Sequence, residues 1–434
     1  MFTVASEIPM AAVLAQQFQN SHCAKCFQNL RETDDLLTCD DCLDVSYCSL
    51  KCQRGDWRMV HQRECEILQS QKEKLVMTST MRLCLRVLLI NTTRNSATSF
   101  NGGGFDELET NYNEFRSSPV HNEFISDIMA IVNTAGHSVF PDTLNKKTAV
   151  ATICSVLCNA FSIIDEKRVE PIGTGIFIGL AKHNHSCSST SHVVFNGNEA
   201  ILRSPEKVYS ESVTISYVSR MLPTSERRKA VRGIHFITCR CDMCLDEDRD
   251  LIGLAARCSD LRCSGFVKGS QCQSCGKCPS ISQEEISQVT LNLLESLEKF
   301  YKSKSITDKD CKSNEFSELM KLRVDFGKLL ADCNVAILQL DEQIAFCIST
   351  LPDESLPSNL NELAIKGYQH FITRLQLGSP EVTRRLYIAC KCLERTSKLP
   401  NSEFIRQAYQ SSCTSHGEDH VITKFFTKLL EKSN

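Results

Sequence analysis

The chain has 434 residues, with 49 basic against 52 acidic side chains and 25 cysteines. That length calls for roughly two to four structural units. The near-zero charge argues against non-specific nucleic-acid binding and against attraction to an anionic membrane surface, and no stretch has the roughly 18 uninterrupted apolar residues of a spanning helix.

The opening "MFTVASEIPMAAVLAQQF" has no basic n-region and carries Glu7 and Pro9 inside its apolar part, so it does not read as a secretory signal. A reducing nuclear or cytosolic compartment is expected, and there clustered cysteines are more often zinc ligands than disulfides. Between Cys23 and Cys65 the ligand types fall as C-x2-C-x12-C-x2-C-x5-C-x3-C-x8-H-x3-C. Eight ligands make two four-coordinate sites, and each C-x2-C knuckle presents two sulfurs from one tight turn. So short a segment buries too little apolar surface to fold without metal, so the zinc is structural first. Trp57 reads as a packed residue.

"EILQSQKEKLVMTSTMRLCLRVLLI" has apolar residues at helical spacing and predicts a helix leaving this site, with Cys84 in the core. "NTTRNSATSFNGGGF" predicts a mobile loop, and the region from "DELETNYNEF" to "SIIDE" a helical insert, with Asn159 starting the return to the core. "GTG" at 173–175 is too short for a phosphate cradle and predicts a turn. The stretch "AKHNHSCSSTSHVVFNG" (181–197) then packs Asn184, His185, Cys187, His183 and His192 into a loop that runs into a strand. Tyr217 closes the alternating run "VTISY". Cys239, Cys241 and Cys244 form C-x-C-x2-C, three thiolates that leave one zinc position open.

"RCSDLRCSGFVKGSQCQSCGKC" resembles a small zinc ribbon; Cys258, Cys263, Cys272 and Cys275 are the expected ligands, with Cys278 as a substitute. From about 285 onward, "LNLLESLEKFY", "FGKLLADCNVAILQL", "LNELAIKGYQHFITRL" and "VTRRLYIACKCLERT" are amphipathic at helical spacing, and helix pairs recurring at about 40 residues suggest a tetratricopeptide-like array. His416 and His420, four apart, read as helix-capping and packing residues rather than metal ligands.

"YCS..CQ..DW..H...C" in the first cluster resembles the MYND zinc finger. "NAF", "GTGIF", "NHSC", "ISY", "TSERR" and "CRCDMC" together look like the SET domain of the SET-and-MYND (SMYD) lysine methyltransferases, a resemblance that covers nearly the whole chain. It implies an α+β fold: a split, β-rich SET domain with an inserted MYND finger, a zinc-bound post-SET segment and a C-terminal α-helical, TPR-like domain. The implied boundaries are a residual N-terminal SET strand (1–20), the MYND finger (21–66), a linker helix and SET insert (67–165), the SET core (166–236), the post-SET segment and ribbon (237–280) and the helical domain (281–434). The resemblance further implies cross-braced ligation, with Cys23, Cys26, Cys48 and Cys52 on one zinc and Cys39, Cys42, His61 and Cys65 on the other. Cys187 would complete a third zinc with Cys239, Cys241 and Cys244.

For function, the resemblance implies transfer of a methyl group from S-adenosylmethionine to a protein lysine. Asn184 and His185 would sit on the cofactor pocket, Tyr217 would place its hydroxyl beside the transferring methyl, and Phe161 and His235 would line the lysine channel. Three or four zinc ions, histone or cytoplasmic protein substrates, a proline-rich peptide at the finger, a monomeric state and a nuclear or cytoplasmic location follow as expectations, with neither a membrane nor a specific nucleic acid as partner.

Several positions depart from the family pattern. The glycine-rich strand pair that opens such SET domains has no counterpart in residues 1–20, so one pocket wall is expected to be absent. Ser188, Ser189 and Thr190 stand where Asp, Pro and Asn are usual, and Val218, Ser219 and Arg220 where an acidic residue is usual. His235 and Ile237 stand where a tyrosine and a phenylalanine are usual, unless a one-residue shift puts Phe236 in the aromatic place. A catalytically inactive, zinc-stabilised SET/MYND scaffold that binds protein partners therefore stays open as the alternative reading.

Overall fold

A computed structural model describes residues 2–30, 37–71, 77–93, 104–141, 144–165, 167–168, 171–204, 212–279, 281–303, 309–351, 353–357, 359–395 and 402–433. It is an α+β protein in which small sheets, a zinc-finger module and two helical regions share continuous cores.

The N-terminal stretch expected as one strand holds two, β1 (Phe2–Glu7) and β2 (Ala11–Leu14). Pro9 has no N–H for a ladder, and the chain changes sheets around it. The finger follows, with the short hairpin β3 (Leu37–Thr38) and β4 (Ser46–Tyr47), then α1 (Leu50–Asp56), a π turn (Trp57–His61) and α2 (Gln62–Gln71). Ser49 caps α1 by accepting the Cys52 N–H at 3.3 Å.

Helix α3 (Ser79–Thr93) is buried at every position from Met81 to Ile90, Cys84 included. It carries on to Thr93, so the first residues of the predicted loop are helical; 94–103 lie outside the described residues. The insert is α4 (Tyr112–Ser117), α5 (Pro119–Val139), kinked at Gly136, and α6 (Lys146–Asn159), whose N-terminus Asn145 caps through its side chain. The helical insert ends at Asn159. "AFSII" is not part of it: it forms β5 (Ala160–Ile164), which pairs antiparallel with β6 (Pro171–Ile176). The predicted turn "GTG" thus lies inside β6, where a Cβ on Gly173 would fall 2.5 Å from the Val13 carbonyl oxygen of the neighbouring strand. Close approach of backbones, rather than a bend, explains this glycine.

Next come β7 (Asn184–His185), β8 (His192–Asn196), β9 (Glu199–Ser204) and β10 (Thr214–Ile215). The sheets are ordered β2-β6-β5 and β1-β9-β8, and β7 pairs parallel with β10. Gly197, at φ +62° in the β8–β9 turn, sits where a Cβ would fall 2.5 Å from the Cys26 carbonyl oxygen. That turn docks on the finger: Asn198 donates its backbone N–H to Cys26 O and its side-chain amide to Lys25 O. The finger accordingly shares a core with the strands, through Phe18, Phe27, Tyr47, Phe177 and Phe195.

Helix α7 (Thr224–His235) comes next, and the stretch expected as post-SET follows as α8 (Asp242–Leu245) and α9 (Glu247–Gly253), with the ribbon strands β11 (Ala256–Arg257), β12 (Phe266–Lys268) and β13 (Gln271–Cys272). The C-terminal region is helical: α10 (Gln283–Ser303), α11 (Lys309–Phe326), α12 (Val335–Thr350), α13 (Leu360–Ile365), α14 (Tyr368–Leu375), α15 (Pro380–Glu394), α16 (Ser402–Ser415) and α17 (Val421–Ser433). Two of the amphipathic runs are broken. "FGKLLADCNVAILQL" holds the end of α11 and the start of α12, where Asn334 caps through its side chain. "LNELAIKGYQHFITRL" divides at Gly367, at φ +74°. Among the described residues no helix is long and apolar enough to cross a membrane.

Candidate active site and metal centres

Among the described residues four cysteine-rich groups each bring their ligand atoms within 4.8 Å of one another: Cys23, Cys26, Cys48 and Cys52; Cys39, Cys42, His61 and Cys65; Cys187, Cys239, Cys241 and Cys244; and Cys258, Cys263, Cys272 and Cys275. The first two interleave along the chain. The third draws Cys187, from the loop after β7, onto the C-x-C-x2-C knuckle. In the ribbon Cys278 is exposed and lies outside the group. Thiolates with at most one imidazole are the donor chemistry of tetrahedral zinc.

A buried ionic network around the second group was not read from the sequence. Glu64 accepts the His61 Nδ1–H at 2.9 Å, which leaves Nε2 for the cluster, 3.6 Å from the Cys42 sulfur. The π turn that ends at His61 widens the helix there and aims the ring inward. Glu64 is in turn held by Arg82 and Arg86, both at 2.7 Å, while Arg86 also grips Asp56, and Tyr47 donates to Asp56 at 2.9 Å. The arginines drive the buried Glu64 carboxyl well below the usual range against the opposing cost of burial. Two arginines four apart inside the apolar run "MRLCLRVLLI" were the available signal. Trp57 packs edge-on to His61, ring centroids 5.9 Å apart.

The third group has its own counter-charge. Arg227 is fully buried and donates to the Leu222 carbonyl, the Thr224 hydroxyl and, at 3.6 Å, the Cys244 sulfur.

Beside this group lies a cleft of about 1420 Å³, walled by strands β5, β7, β8 and β10, the insert and the first turn of α15. Asn184, Phe161, Tyr217, His235 and Ile237 all line it. The Tyr217 hydroxyl donates to the His183 carbonyl at 2.6 Å, and burial pushes its pKa up to about 12, so it stays protonated. The His235 ring lies on Tyr217, centroids 4.4 Å apart, and burial lowers its pKa, which favours the neutral imidazole. Cys158 lines the cleft next to it, 3.8 Å from His235 Nδ1, and accepts from Asn111 Nδ2 at 3.0 Å. Burial raises the Cys158 thiol to about 11, so it remains a thiol.

His185 is placed differently from Asn184. It is not part of the cleft lining. Its Nδ1 accepts the Tyr217 backbone N–H at 3.0 Å and its Nε2 lies 3.3 Å from the Cys187 sulfur, so the ring ties the tyrosine to the third cysteine group. Burial, then the neighbouring His235 and Arg227, pull its pKa down to about 4. Phe236 does not take the aromatic place: it adopts a left-handed conformation and packs edge-on against Phe115 of the insert. His235 and the half-exposed Ile237 keep their positions on the cleft.

The far wall comes from the helical region. Arg220 forms a bidentate pair with Glu381 at the start of α15, at 3.0 and 2.6 Å. His420 caps α17 by accepting the Ile422 N–H and donates its other nitrogen to the Phe195 carbonyl at 3.2 Å, tying the last helix to β8. His416 stacks on it at 4.6 Å.

This is a zinc-finger-bearing domain with a cleft beside a cysteine-clamped loop. Residues 23–65 match the family model described as MYND finger. The N-lysine methyltransferase SMYD2-A of Xenopus laevis is 26% identical over 433 residues, covering 96% of this chain and 91% of that protein. The histone-lysine N-methyltransferase ASHR1 of Arabidopsis thaliana is 26% identical over 79% of this chain and 72% of its own length. The N-lysine methyltransferase SMYD2 of Bos taurus is 31% identical over 248 residues, 55% of this chain and 54% of its own. The chain thus carries a MYND finger and is similar over most of its length to lysine methyltransferases such as SMYD2-A and ASHR1.

Proposed function

We propose that the protein is an S-adenosylmethionine-dependent protein-lysine N-methyltransferase. The observation that carries the reading is the convergence of Asn184, Tyr217, Phe161 and His235 on one cleft. The names of the relatives support it.

The cofactor suits the lining, with the exposed Asn184 amide and the Ile237 side chain at the rim and the Tyr217 hydroxyl farther in. When bound, S-adenosylmethionine supplies a methyl group activated by a sulfonium. The remaining work falls to this chain's residues. A lysine with a free pKa of about 10.4 must shed its proton before it can act as nucleophile, and an apolar wall disfavours the ammonium form. Phe161 supplies such a wall, and His235, kept neutral by burial, adds no cation to repel the incoming side chain. Tyr217, oriented by His185 at its backbone and by the His183 carbonyl at its hydroxyl, fixes the geometry at the reacting end. His185 thereby acts as a positioning residue.

Zinc in each of the four cysteine groups would brace the finger, clamp the post-SET segment beside the cleft and close the ribbon. The groove beside Trp57 and Arg58 is the surface on which a proline-rich peptide would dock. Substrates are lysine-bearing proteins, histone or cytoplasmic.

The test is tritiated methyl incorporation into core histones and into a panel of cytoplasmic proteins, with lysine confirmed by mass spectrometry. Incorporation that vanishes in Tyr217→Phe supports the reading; equal incorporation in that variant contradicts it.

A further inference from the structure

Among the described residues two cysteines are exposed, Cys275 and Cys278. They lie close together at the tip of the ribbon, where every residue from Gln273 to Cys278 is exposed. Their surroundings differ in kind. Cys275 belongs to the fourth ligand group, its sulfur 3.5 Å from that of Cys258, whereas Cys278 lies outside that group. Of the sixteen ligand side chains in the four groups, Cys275 is the only exposed one.

The other three ribbon ligands are shielded. Cys258 and Cys272 are each 3% exposed and belong to the core that also holds Ile286 and Leu293 of α10 and Ile337 of α12. Cys263 is half-buried against the same core. The turn that carries Cys275 folds back on Cys272, whose carbonyl accepts the Gly276 N–H at 3.0 Å and whose own N–H is donated to the Lys277 carbonyl at 2.8 Å. Gly276 stands at φ +71°, and a Cβ there would meet nothing within 4 Å, so the outer side of the turn is open. A cysteine that ligates zinc does so as a thiolate, and the thiolate is the form that oxidants attack, most readily where it is exposed. A second thiol in C-x2-C spacing is placed to resolve the oxidised sulfur.

We propose that Cys275 and Cys278 are a peroxide-oxidised pair whose disulfide opens the ribbon's metal centre. The Cys275 thiolate attacks hydrogen peroxide, breaks its O–O bond and becomes a sulfenic acid as hydroxide leaves. The Cys278 thiol then attacks that sulfur; the S–S bond forms, and the sulfenic hydroxyl departs with the thiol proton as water. The two sulfurs give up two electrons and the peroxide takes them. Three ribbon thiolates are left, one short of a tetrahedral set, so the centre releases its zinc. A dithiol reductant cleaves the bond and restores both sulfurs. The inference rests on the ribbon as a zinc site and does not depend on methyl transfer.

Hydrogen peroxide added to the full zinc-loaded chain, with released metal followed by a colorimetric zinc chelator, tests it. One ion of the four should leave at least about tenfold faster than the others, because exposed thiolates oxidise first. Trypsin cuts after Lys277, so mass spectrometry should return the peptides carrying Cys275 and Cys278 joined by a disulfide. Dithiothreitol with added zinc should restore the full metal content. Cys278→Ser should start with the same zinc content as the wild type and lose the ribbon ion to peroxide without forming the link. Its Cys275 then passes on to the sulfinic acid, which dithiothreitol does not reduce, so the ion is not regained. A wild-type chain that starts without a ribbon ion, a first loss from another group, a Cys278→Ser chain that starts one ion short, or one that regains its ion as the wild type does would each overturn the proposal.

Discussion

Single atoms separate two jobs that the motif places side by side. Tyr217 offers a protonated hydroxyl at the inner cleft, whereas Asn184 presents an exposed amide at its rim. Replacing Tyr217 by Phe removes only the bond to the His183 carbonyl, at about 1 kcal/mol of stability. Zinc content and cofactor affinity should therefore hold while methyl transfer is mostly lost, and Asn184→Ala should instead weaken cofactor binding; a calorimetric titration beside the transfer assay separates the two. Glu64 gives a second test at this scale. Its contact with His61 Nδ1 orients a metal ligand, so Glu64→Gln should lower zinc affinity at that position by about 10- to 100-fold. Chelator competition reads this directly: one of the two finger zincs should leave early, and release of both at wild-type rates would count against the assignment.

Contacts between elements set the cleft, and the Arg220–Glu381 pair is the main ionic one. Arg220→Ala should cost about 3 kcal/mol, the low end for breaking a buried pair, since the Glu381 side chain retains 23% of its surface. Replacing both residues with methionine should cost much less, because no buried charge is left alone; urea unfolding of the singles and the double measures this. The pH dependence follows from the same pair. Burial pushes the Glu381 carboxyl up, but Arg220 outweighs it and brings the pKa down to about 2. A folded pKa below the unfolded value of about 4.3 means that the unfolded chain takes up protons first as acid is added. This stabilisation is therefore full above about pH 5 and is lost as pH falls from there towards 2. Glu381→Gln should flatten the acid limb of the stability profile, and an unchanged limb would show that the pair is not formed.

For the whole molecule, the metal groups determine what holds the parts together. Four zinc ions per chain are expected on elemental analysis after dialysis, and Cys187→Ser should remove one and loosen the post-SET segment while the finger keeps both of its ions. A content of two or fewer would remove the post-SET centre from the account. The knuckles themselves were readable from the sequence because a C-x2-C pair is one local turn; the cross-braced pairing, the joining of Cys187 to the distant knuckle and the roles of Asn184 and Tyr217 were implied only by the resemblance to the family. What sequence spacing does not carry is contact between distant segments. The Glu64–Arg82–Arg86 network, the Arg220–Glu381 pair and the reciprocal bonds of Arg249 and Arg374 to each other's carbonyls each join residues from separate elements. The same limit explains the misread strands. "AFSII" and "GTGIF" are strands because they pair with each other and with β2, and Gly173 is needed for a neighbouring backbone rather than for its own turn.

The claim that this cleft receives S-adenosylmethionine is tested most directly by isothermal titration of S-adenosylmethionine into the full zinc-loaded chain. Saturable binding to one site, weakened in Asn184→Ala and retained in Tyr217→Phe, is the predicted result. No measurable heat at millimolar ligand, with zinc content at its full value, would contradict it and leave a zinc-stabilised binding scaffold as the function of the fold.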